Sequence, residues 1–314
     1  MINYSVIIPH KNIPKLLQRC LDSIPVRDDV QVIVVDDNSD LDVVDFSNFP
    51  QWSGEHYETY VSKTTLFAGG ARNVGMQHAR GTWIVYLDAD DLFTPQINAV
   101  LDKYKSSEAD YIRFGLESRD CDTMQLISGE HWYNQVLQNP NMSDLEKCLD
   151  LTLSAPAFYK RSLLIDNGIT WGDNRYHNDT LFVTQVVLCA NHIVLDPIYT
   201  YIYSERVGSI SRSYNHDAVI QHFETDYQKF KLVKSAGISL THLGNYQMEH
   251  LQGIRGLTII EQIPIIWKMW SCGMLFNHCT YNPIPTSRIL NKLFRTLWRG
   301  SKNIIRLLIH KCEA

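Results

Sequence analysis

The sequence predicts an α/β protein built on a mostly parallel β-sheet flanked by helices, and three observations lead to this prediction. Residues 6–8, 32–35 and 84–87 are apolar runs typical of strands buried on both faces, the first of which is expected to end at Pro9. Between the first two runs, apolar residues from Leu16 to Ile24 recur at helical spacing, which gives the order strand, helix, strand. The chain has 314 residues, 45% of them hydrophobic and 20% charged, enough for one large core with an appended piece.

Carboxylates follow the second and third strands, at the edge where ligands bind in such sheets. Asp36 and Asp37 come directly after the second strand, and Asp88 and Asp90 come after the third. Side chains at i and i+2 of an extended segment point the same way, so Asp88 and Asp90 either converge on one cation or divide a cation and a ribose hydroxyl between them. Hard oxygen ligands suit magnesium or manganese, which would carry a phosphorylated substrate. The alternative is an ordinary acidic turn, followed by a helix that begins near Thr94.

A glycine pair precedes an arginine between these two strands. Gly69 and Gly70 stand at the predicted start of a helix, where backbone N–H groups approach an anion, and Arg72 adds a charge matched to a diphosphate. The alternative is that the glycines form a turn and that Arg72 pairs with a surface acid.

Four segments in order resemble the motifs of family 2 glycosyltransferases: Pro9–Asn12, Val35–Ser39, Ala71–Gly75 and Leu87–Asp91. The similarity covers residues 3–212 and implies an inverting enzyme of the GT-A fold, a Rossmann-like sheet with helices on its faces. It also implies a nucleotide-sugar donor, held by the early motifs.

The resemblance assigns donor binding to Pro9, His10, Asn12, Asp36, Asp37, Gly70, Arg72, Asn73 and Asp88. Asp37 is expected to accept a hydrogen bond from the base, and Asp36 to share that role. Arg72 and Asn73 are expected near the ribose and the diphosphate. His10 stands where the family more often has an aromatic residue, which leaves its contact with base or ribose open.

The same resemblance assigns the metal to the acids of the third strand. Asp88 is expected to face the ribose and Asp90 to bind Mn²⁺ or Mg²⁺, with Asp88 as the second carboxylate near the ion.

An inverting transfer needs a group that removes the proton of the acceptor hydroxyl, and Asp179 is the candidate. Residues 177–188 predict a helix with Asp179 at its N-terminal end. The family usually has Glu-Asp at this place, whereas this chain has Asn178 and Asp179, so the aspartate is retained and its acidic partner is not. The alternatives are that Asp179 only caps the helix, or that His177 is the base.

The predicted organisation has three parts. Residues 1–110 form the donor-binding half of the GT-A domain, 111–214 the acceptor-binding and catalytic-base half, and 215–314 a helical extension. In the second part, tyrosines 199, 201 and 203 alternate along a strand, so they either line an acceptor groove or pack as one strand face.

The end of the chain combines an apolar stripe with a basic face. Residues 286–314 carry a net charge of +6, which leaves -11 for the rest of a chain whose total is -5. This pattern predicts a basic amphipathic helix in peripheral contact with anionic lipid, and the alternative is a helix packed on the catalytic domain. A nucleic-acid partner is not expected, because the basic patch is confined to one helix.

Composition and the N-terminus predict a cytoplasmic protein, placed by its tail at the inner face of the membrane. The seven cysteines are odd in number and lack zinc-ligand spacing, which favours reduced thiols. The N-terminus leads straight into the first strand without a cleavable apolar segment.

The sequence therefore predicts a metal-dependent, inverting hexosyltransferase. It is expected to move a sugar from a nucleotide donor, a UDP-sugar, to a hydroxyl of a saccharide or lipid-linked saccharide in bacterial surface polysaccharide synthesis. One alternative is a sugar-phosphate nucleotidylyltransferase, although Pro9–Asn12 is not its Gly-rich basic loop. Another is a non-catalytic member of the fold that binds the donor or a partner enzyme, and the missing acid at Asn178 leaves this alternative open.

Overall fold

Eight strands form one mixed sheet in the computed structural model, which describes residues 1–47, 49–127, 131–206, 215–238 and 257–272. The strands are β1 (Tyr4–His10), β2 (Val30–Asp36), β3 (Tyr57–Val61), β4 (Trp83–Tyr86), β5 (Leu92–Phe93), β6 (Tyr111–Asp120), β7 (Ala157–Lys160) and β8 (Ile193–Glu205). The described helices are α1 (Pro14–Asp22), α2 (Phe67–His78), α3 (Ile97–Tyr104), α4 (Trp132–Leu137), α5 (Asp144–Asp150), α6 (Arg161–Asp166), α7 (Asn178–Cys189), α8 (His216–Ser235) and α9 (Ile259–Cys272).

The strand order is β3-β2-β1-β4-β7-β6-β8-β5. β3, β2, β1 and β4 are parallel, β7 runs antiparallel between β4 and β6, and β6 is parallel to β8. The predicted α/β sheet flanked by helices is confirmed, and four of its strand pairs are parallel whereas three are antiparallel. The carboxyl ends of β1, β2 and β4 therefore meet at one edge, where the acidic segments lie.

Burial on both faces explains why the strand runs are continuously apolar. On one face, Ile7 and Val35 belong to a buried cluster that includes residues of α2 and α7. On the other face, Ile8 and Val34 belong to a second cluster that includes residues of α1 and α3. The predicted helix between the first two strands is confirmed as α1.

The expected end of the first strand at Pro9 is wrong, because β1 continues to His10. Pro9 is paired with Val35 of β2, whereas the pairing of β1 with β4 ends at Ile7. Beyond Ile7, β1 has a partner on one side, and a proline without an N–H is tolerated at such an edge.

Two helices, α8 and α9, follow the sheet within the described residues, as predicted. Phe223, Phe230 and Val233 of α8 lie in the same buried cluster as Val183 and Val187 of α7. The start of the extension is therefore continuous with the core of the sheet domain. The predicted boundary near residue 214 and the basic segment 286–314 lie outside the described residues.

Two further observations bear on the sequence predictions. Cys20, Cys121, Cys148 and Cys189 are free thiols. Within the part of the chain that the structure describes, no helix has the length and apolar character needed to cross a membrane.

Candidate active site

A tight turn after β4 carries three aspartates that have three different environments. Asp91 is 3% exposed and accepts hydrogen bonds from the Tyr201 hydroxyl (2.6 Å) and the Ser204 N–H (2.7 Å). Burial, followed by the charges of Asp90 and Asp88, raises the pKa of Asp91 well above its usual range. Asp91 thus fixes the turn to β8, and it lies well before α3, which begins at Ile97.

Arg72 of α2 is the centre of the site. Its side chain is 4% exposed, and its Nη2 lies 2.5 Å from Asp88 Oδ1. Its Nη1 lies 3.6 Å from Asp179 Oδ1 and donates to Asn178 Oδ1 at 3.3 Å. Burial alone would lower the pKa of Arg72, but the carboxylates of Asp88 and Asp179 raise it, so the guanidinium remains charged. One cation therefore joins the predicted ribose ligand to the predicted base.

Asp90 points to a different arginine. Its Oδ2 lies 2.7 Å from Nε of Arg206, the residue that follows β8, and its backbone carbonyl accepts from Arg19 at 3.2 Å. In this state Asp88 and Asp90 each have an arginine partner and do not share one.

Asp88 and Asp90 both offer oxygen ligands to a divalent cation. The side chains of Asp88 and Asp90 are 38% and 22% exposed, and carboxylates are the donors that Mg²⁺ and Mn²⁺ prefer. Within the described residues, no group of three or more His, Cys, Asp and Glu is arranged to hold a metal. The donor set therefore fits an ion that takes one or two carboxylates from the protein and its other oxygens from phosphate and water.

His10 and Asp36 form a buried pair below the ends of β1 and β2. His10 Nδ1 lies 2.8 Å from Asp36 Oδ1, and the Ile13 N–H donates to His10 Nε2 at 3.2 Å, which places the ring proton on Nδ1. Burial alone would raise the pKa of Asp36, but hydrogen bonds from His10 and Ser39 hold it below its usual range. The pair supports the strand ends, and the donor contacts assigned to it stay predictions.

Asp37 and the neighbouring loop residues also make contacts within the protein. Asp37 accepts from the Leu66 N–H at the start of α2, and its Oδ2 lies 3.6 Å from Lys11 Nζ. Asn12 accepts from the Asp40 N–H at 2.8 Å, which joins the loop after β1 to the loop after β2. Pro9 is half-buried within β1, and its assignment to the donor stays a prediction.

The glycine pair lies in the first turn of α2, as the sequence predicts for a helix start. A Cβ at Gly69 would lie 2.3 Å from the carbonyl oxygen of Gly172, so Gly69 allows a close approach between α2 and that loop. Gly70 is half-buried in the same turn, and its assignment to the diphosphate stays a prediction.

Asn73 and Trp171 fix the loop that covers Arg72. The Asn73 side chain accepts from the Trp171 N–H at 2.9 Å and donates to the Trp171 carbonyl at 3.0 Å. The Trp171 ring stacks on Phe182 at 4.1 Å, and Arg72 lies over it at 4.4 Å. Sequence reasoning missed Trp171, because a single tryptophan outside a regular pattern carries no local signal of its partners.

Asp179 lies in the first turn of α7, where the sequence predicts it. Its Oδ2 accepts from the N–H and the hydroxyl of Ser154, each at 3.0 Å, and the side chain is 25% exposed. The N-cap position is held by His177, so the carboxylate serves a contact outside its own helix. His177 Nε2 lies 3.2 Å from Asp226 of α8 and 2.8 Å from Thr180, which turns this ring toward α8.

The strand tyrosines mostly pack. Tyr201 is 2% exposed, accepts from the Asp88 N–H at 3.4 Å and donates to Asp91. The Tyr199 ring lies against Gly115, and the ring of Tyr203 lies 6.2 Å from that of His131. The packed-face alternative therefore describes Tyr201 and Tyr199.

Asp88 and Asp179 thus meet at the buried Arg72, beside the edge of the sheet where β1, β2 and β4 end. The profile of Glycosyl transferase family 2 matches residues 5–166, so the chain belongs to that family. The predicted GT-A fold is confirmed.

Two relatives and one solved structure illustrate the similarity. The chain is 24% identical over 246 residues to the uncharacterized glycosyltransferase EpsJ of Bacillus subtilis, covering 71% of this chain and 67% of EpsJ. It is 26% identical over 216 residues to the poly(ribitol-phosphate) beta-glucosyltransferase of Bacillus spizizenii, covering 63% of this chain but 32% of that longer protein. The crystal structure of S. aureus TarS 1-349 in complex with UDP-GlcNAc has a TM-score of 0.64 at 20% identity, covering 86% of this chain and 80% of TarS 1-349.

Proposed function

We propose that this protein is an inverting glycosyltransferase that moves a sugar from a UDP-sugar to a hydroxyl of a saccharide or lipid-linked saccharide in bacterial surface polysaccharide synthesis. The observation that carries the proposal is the placement of Asp88 and Asp179 on the same guanidinium, that of Arg72. A donor-side acid and a candidate base thereby face one site. The relative that transfers glucose to poly(ribitol-phosphate), and the UDP-GlcNAc in TarS, support the substrate classes.

In the proposed reaction, Asp179 removes the proton of the acceptor hydroxyl. The oxygen attacks the anomeric carbon of the sugar from the face opposite the diphosphate and forms the new glycosidic bond. The bond between the anomeric carbon and the diphosphate oxygen breaks, and UDP leaves with the electron pair. Arg72 stays charged beside Asp88 and Asp179, so it keeps both carboxylates in place while the charge moves.

Asp90, with Asp88, would hold a Mn²⁺ or Mg²⁺ ion. When bound, such an ion offsets the negative charge of the departing diphosphate. Arg206 Nε contacts Asp90 Oδ2 in the structure, so an ion held at Asp90 would compete with Arg206 for this carboxylate.

We also propose that residues 286–314 place the enzyme on the cytoplasmic face of an anionic membrane. The support is the +6 charge and the apolar stripe of this segment. A lipid-linked acceptor would be met at that surface.

A panel of nucleotide sugars tests the donor class. UDP-glucose and UDP-GlcNAc with Mn²⁺ should raise the melting temperature of the purified protein, because a ligand that binds only the native state stabilises it. ADP-glucose and GDP-mannose serve as controls. Stabilisation followed by slow release of UDP supports a transferase, whereas release of pyrophosphate from UTP and a sugar phosphate would show a nucleotidylyltransferase. Binding without UDP release, with acceptor saccharides present, would indicate a non-catalytic member.

A further inference from the structure

We infer that Ser154 is the residue that positions the catalytic carboxylate, and that Oδ1 of Asp179 is the oxygen that accepts the proton. The inference rests on the proposed function, since it assigns an atom and a positioning residue to the proposed base. Ser154 lies before β7, on a segment to which the sequence motifs assign no role.

The two oxygens of Asp179 have different surroundings. Oδ2 accepts two hydrogen bonds from Ser154, one from its N–H and one from its hydroxyl. Oδ1 lies 3.6 Å from Arg72 Nη1, which is beyond hydrogen-bond distance. Because Oδ2 is already an acceptor twice, the oxygen left to receive a proton from an acceptor hydroxyl is Oδ1.

Ser154 is itself fixed by contacts with the interior of the protein. It is 2% exposed, and its carbonyl accepts from the Tyr159 hydroxyl of β7 at 2.6 Å. The preceding carbonyl, that of Leu153, accepts from Arg113 Nη2 at 2.8 Å, and the Thr180 hydroxyl of α7 donates to Thr152 at 3.2 Å. Three contacts from β6, β7 and α7 therefore fix the segment 152–154.

Arg113 explains how this segment is anchored so firmly. It is fully buried, and besides Leu153 it donates to the hydroxyls of Tyr111 (2.5 Å) and Tyr133 (2.8 Å). A buried cation costs free energy unless its N–H groups are hydrogen-bonded. A conformation of the segment that broke one of these bonds would leave Arg113 unsatisfied and would therefore be unfavourable. The geometry of Ser154 is thus set by the interior of the protein and passed on to Asp179.

The test measures UDP release from UDP-glucose or UDP-GlcNAc, whichever stabilises the protein, in Ser154→Ala and Ser154→Thr. Ser154→Ala removes the hydroxyl bond and keeps the N–H bond, so kcat should fall roughly 10–100-fold while KM for the donor stays within twofold. Ser154→Thr keeps the hydroxyl and should retain most of the activity. Ser235→Ala, at an exposed serine near the end of α8, is the matched control and should be unchanged.

A double variant shows whether Ser154 acts by positioning Asp179 or has an effect of its own. In an Asp179→Asn background, Ser154→Ala should cause no further loss, because the group that it orients is gone. Full activity of Ser154→Ala, or an equal further loss in the Asp179→Asn background, would overturn the inference. If Asp179→Asn keeps full activity, the assignment of the base fails instead.

Tyr159→Phe keeps the inference testable if Ser154→Ala does not fold. It removes the hydroxyl that holds the Ser154 carbonyl and leaves the ring packing in place. A melting temperature near wild type with a several-fold lower kcat is expected, and an unchanged kcat would count against the inference.

Discussion

The acids after β2 and the acids after β4 are alike in sequence and differ in what surrounds them. Asp36 is fully buried and pairs with His10, while its other neighbours are the N–H and hydroxyl of Ser39. Asp88 and Asp90 are partly exposed, and each faces an arginine. A fully buried carboxylate whose hydrogen bonds come from the protein supports the fold, whereas one that remains accessible beside a cation can exchange partners when a ligand arrives. Four predictions test these two groups of acids, the candidate base and the C-terminal segment, from the largest expected effect to the smallest.

Asp179→Asn should lower kcat by roughly 10²–10⁴, the range of a lost general base, with donor affinity near wild type. Steady-state kinetics and calorimetry with UDP measure the two quantities. Asp28→Asn, at an exposed acid, is the control. Full transfer by Asp179→Asn would move the search for the base to His177.

Asp90→Ala should abolish the Mn²⁺-dependent part of UDP binding, and Asp88→Ala should weaken it, because each variant removes a carboxylate available to the ion. Calorimetric titrations with UDP, one with Mn²⁺ and one with a chelator, give the Mn²⁺-dependent part of the affinity. Equal affinity of Asp90→Ala and wild type in the presence of Mn²⁺ would remove the metal assignment.

Asp36→Asn should lower the free energy of unfolding by about 1–3 kcal/mol, since His10 and Ser39 lose a charged acceptor. The folded-state pKa of Asp36 is depressed, so its contribution is present above its unfolded value and is lost as pH falls through the folded one. Urea denaturation should show that the difference in the free energy of unfolding between Asp36→Asn and wild type becomes smaller as the pH falls below about 4. If Asp36→Asn left stability unchanged but removed UDP binding, Asp36 would be a ligand-binding residue like Asp88 and not a residue that supports the fold.

Deletion of residues 286–314 should leave UDP release unchanged while it removes binding to anionic vesicles. The deletion takes away the +6 charge, and salt should weaken binding of the full chain because exposed charges are screened within roughly 10 Å at 0.1 M. Co-sedimentation with anionic and neutral vesicles compares the two forms. Equal sedimentation would indicate that the segment packs on the catalytic domain.

Much of the fold and part of the site follow from local sequence. The apolar runs of β1, β2 and β4 and the helical spacing of α1 are properties of short windows, and they place Asp36 and Asp88 at one edge of the sheet. The position of Asp179 at the start of α7 is equally local. The sequence places the end of β1 at Pro9 and not at His10, because a proline is tolerated in a strand only where one neighbour is absent. How far β4 extends beside β1 is decided by the folded sheet.

The sequence by itself determined the family, the sheet and the candidate acids of this protein. Only the tertiary structure decided their partners. Arg72 meets Asn178 across 106 positions, and Asp91 meets the Tyr201 hydroxyl across 110. Ser154, an ordinary serine in no motif, becomes the neighbour of Asp179 only when β7 and α7 pack together. Backbone periodicity is encoded within a few residues, whereas the burial and charge pairing that give a carboxylate its role arise from segments that meet only in the folded chain.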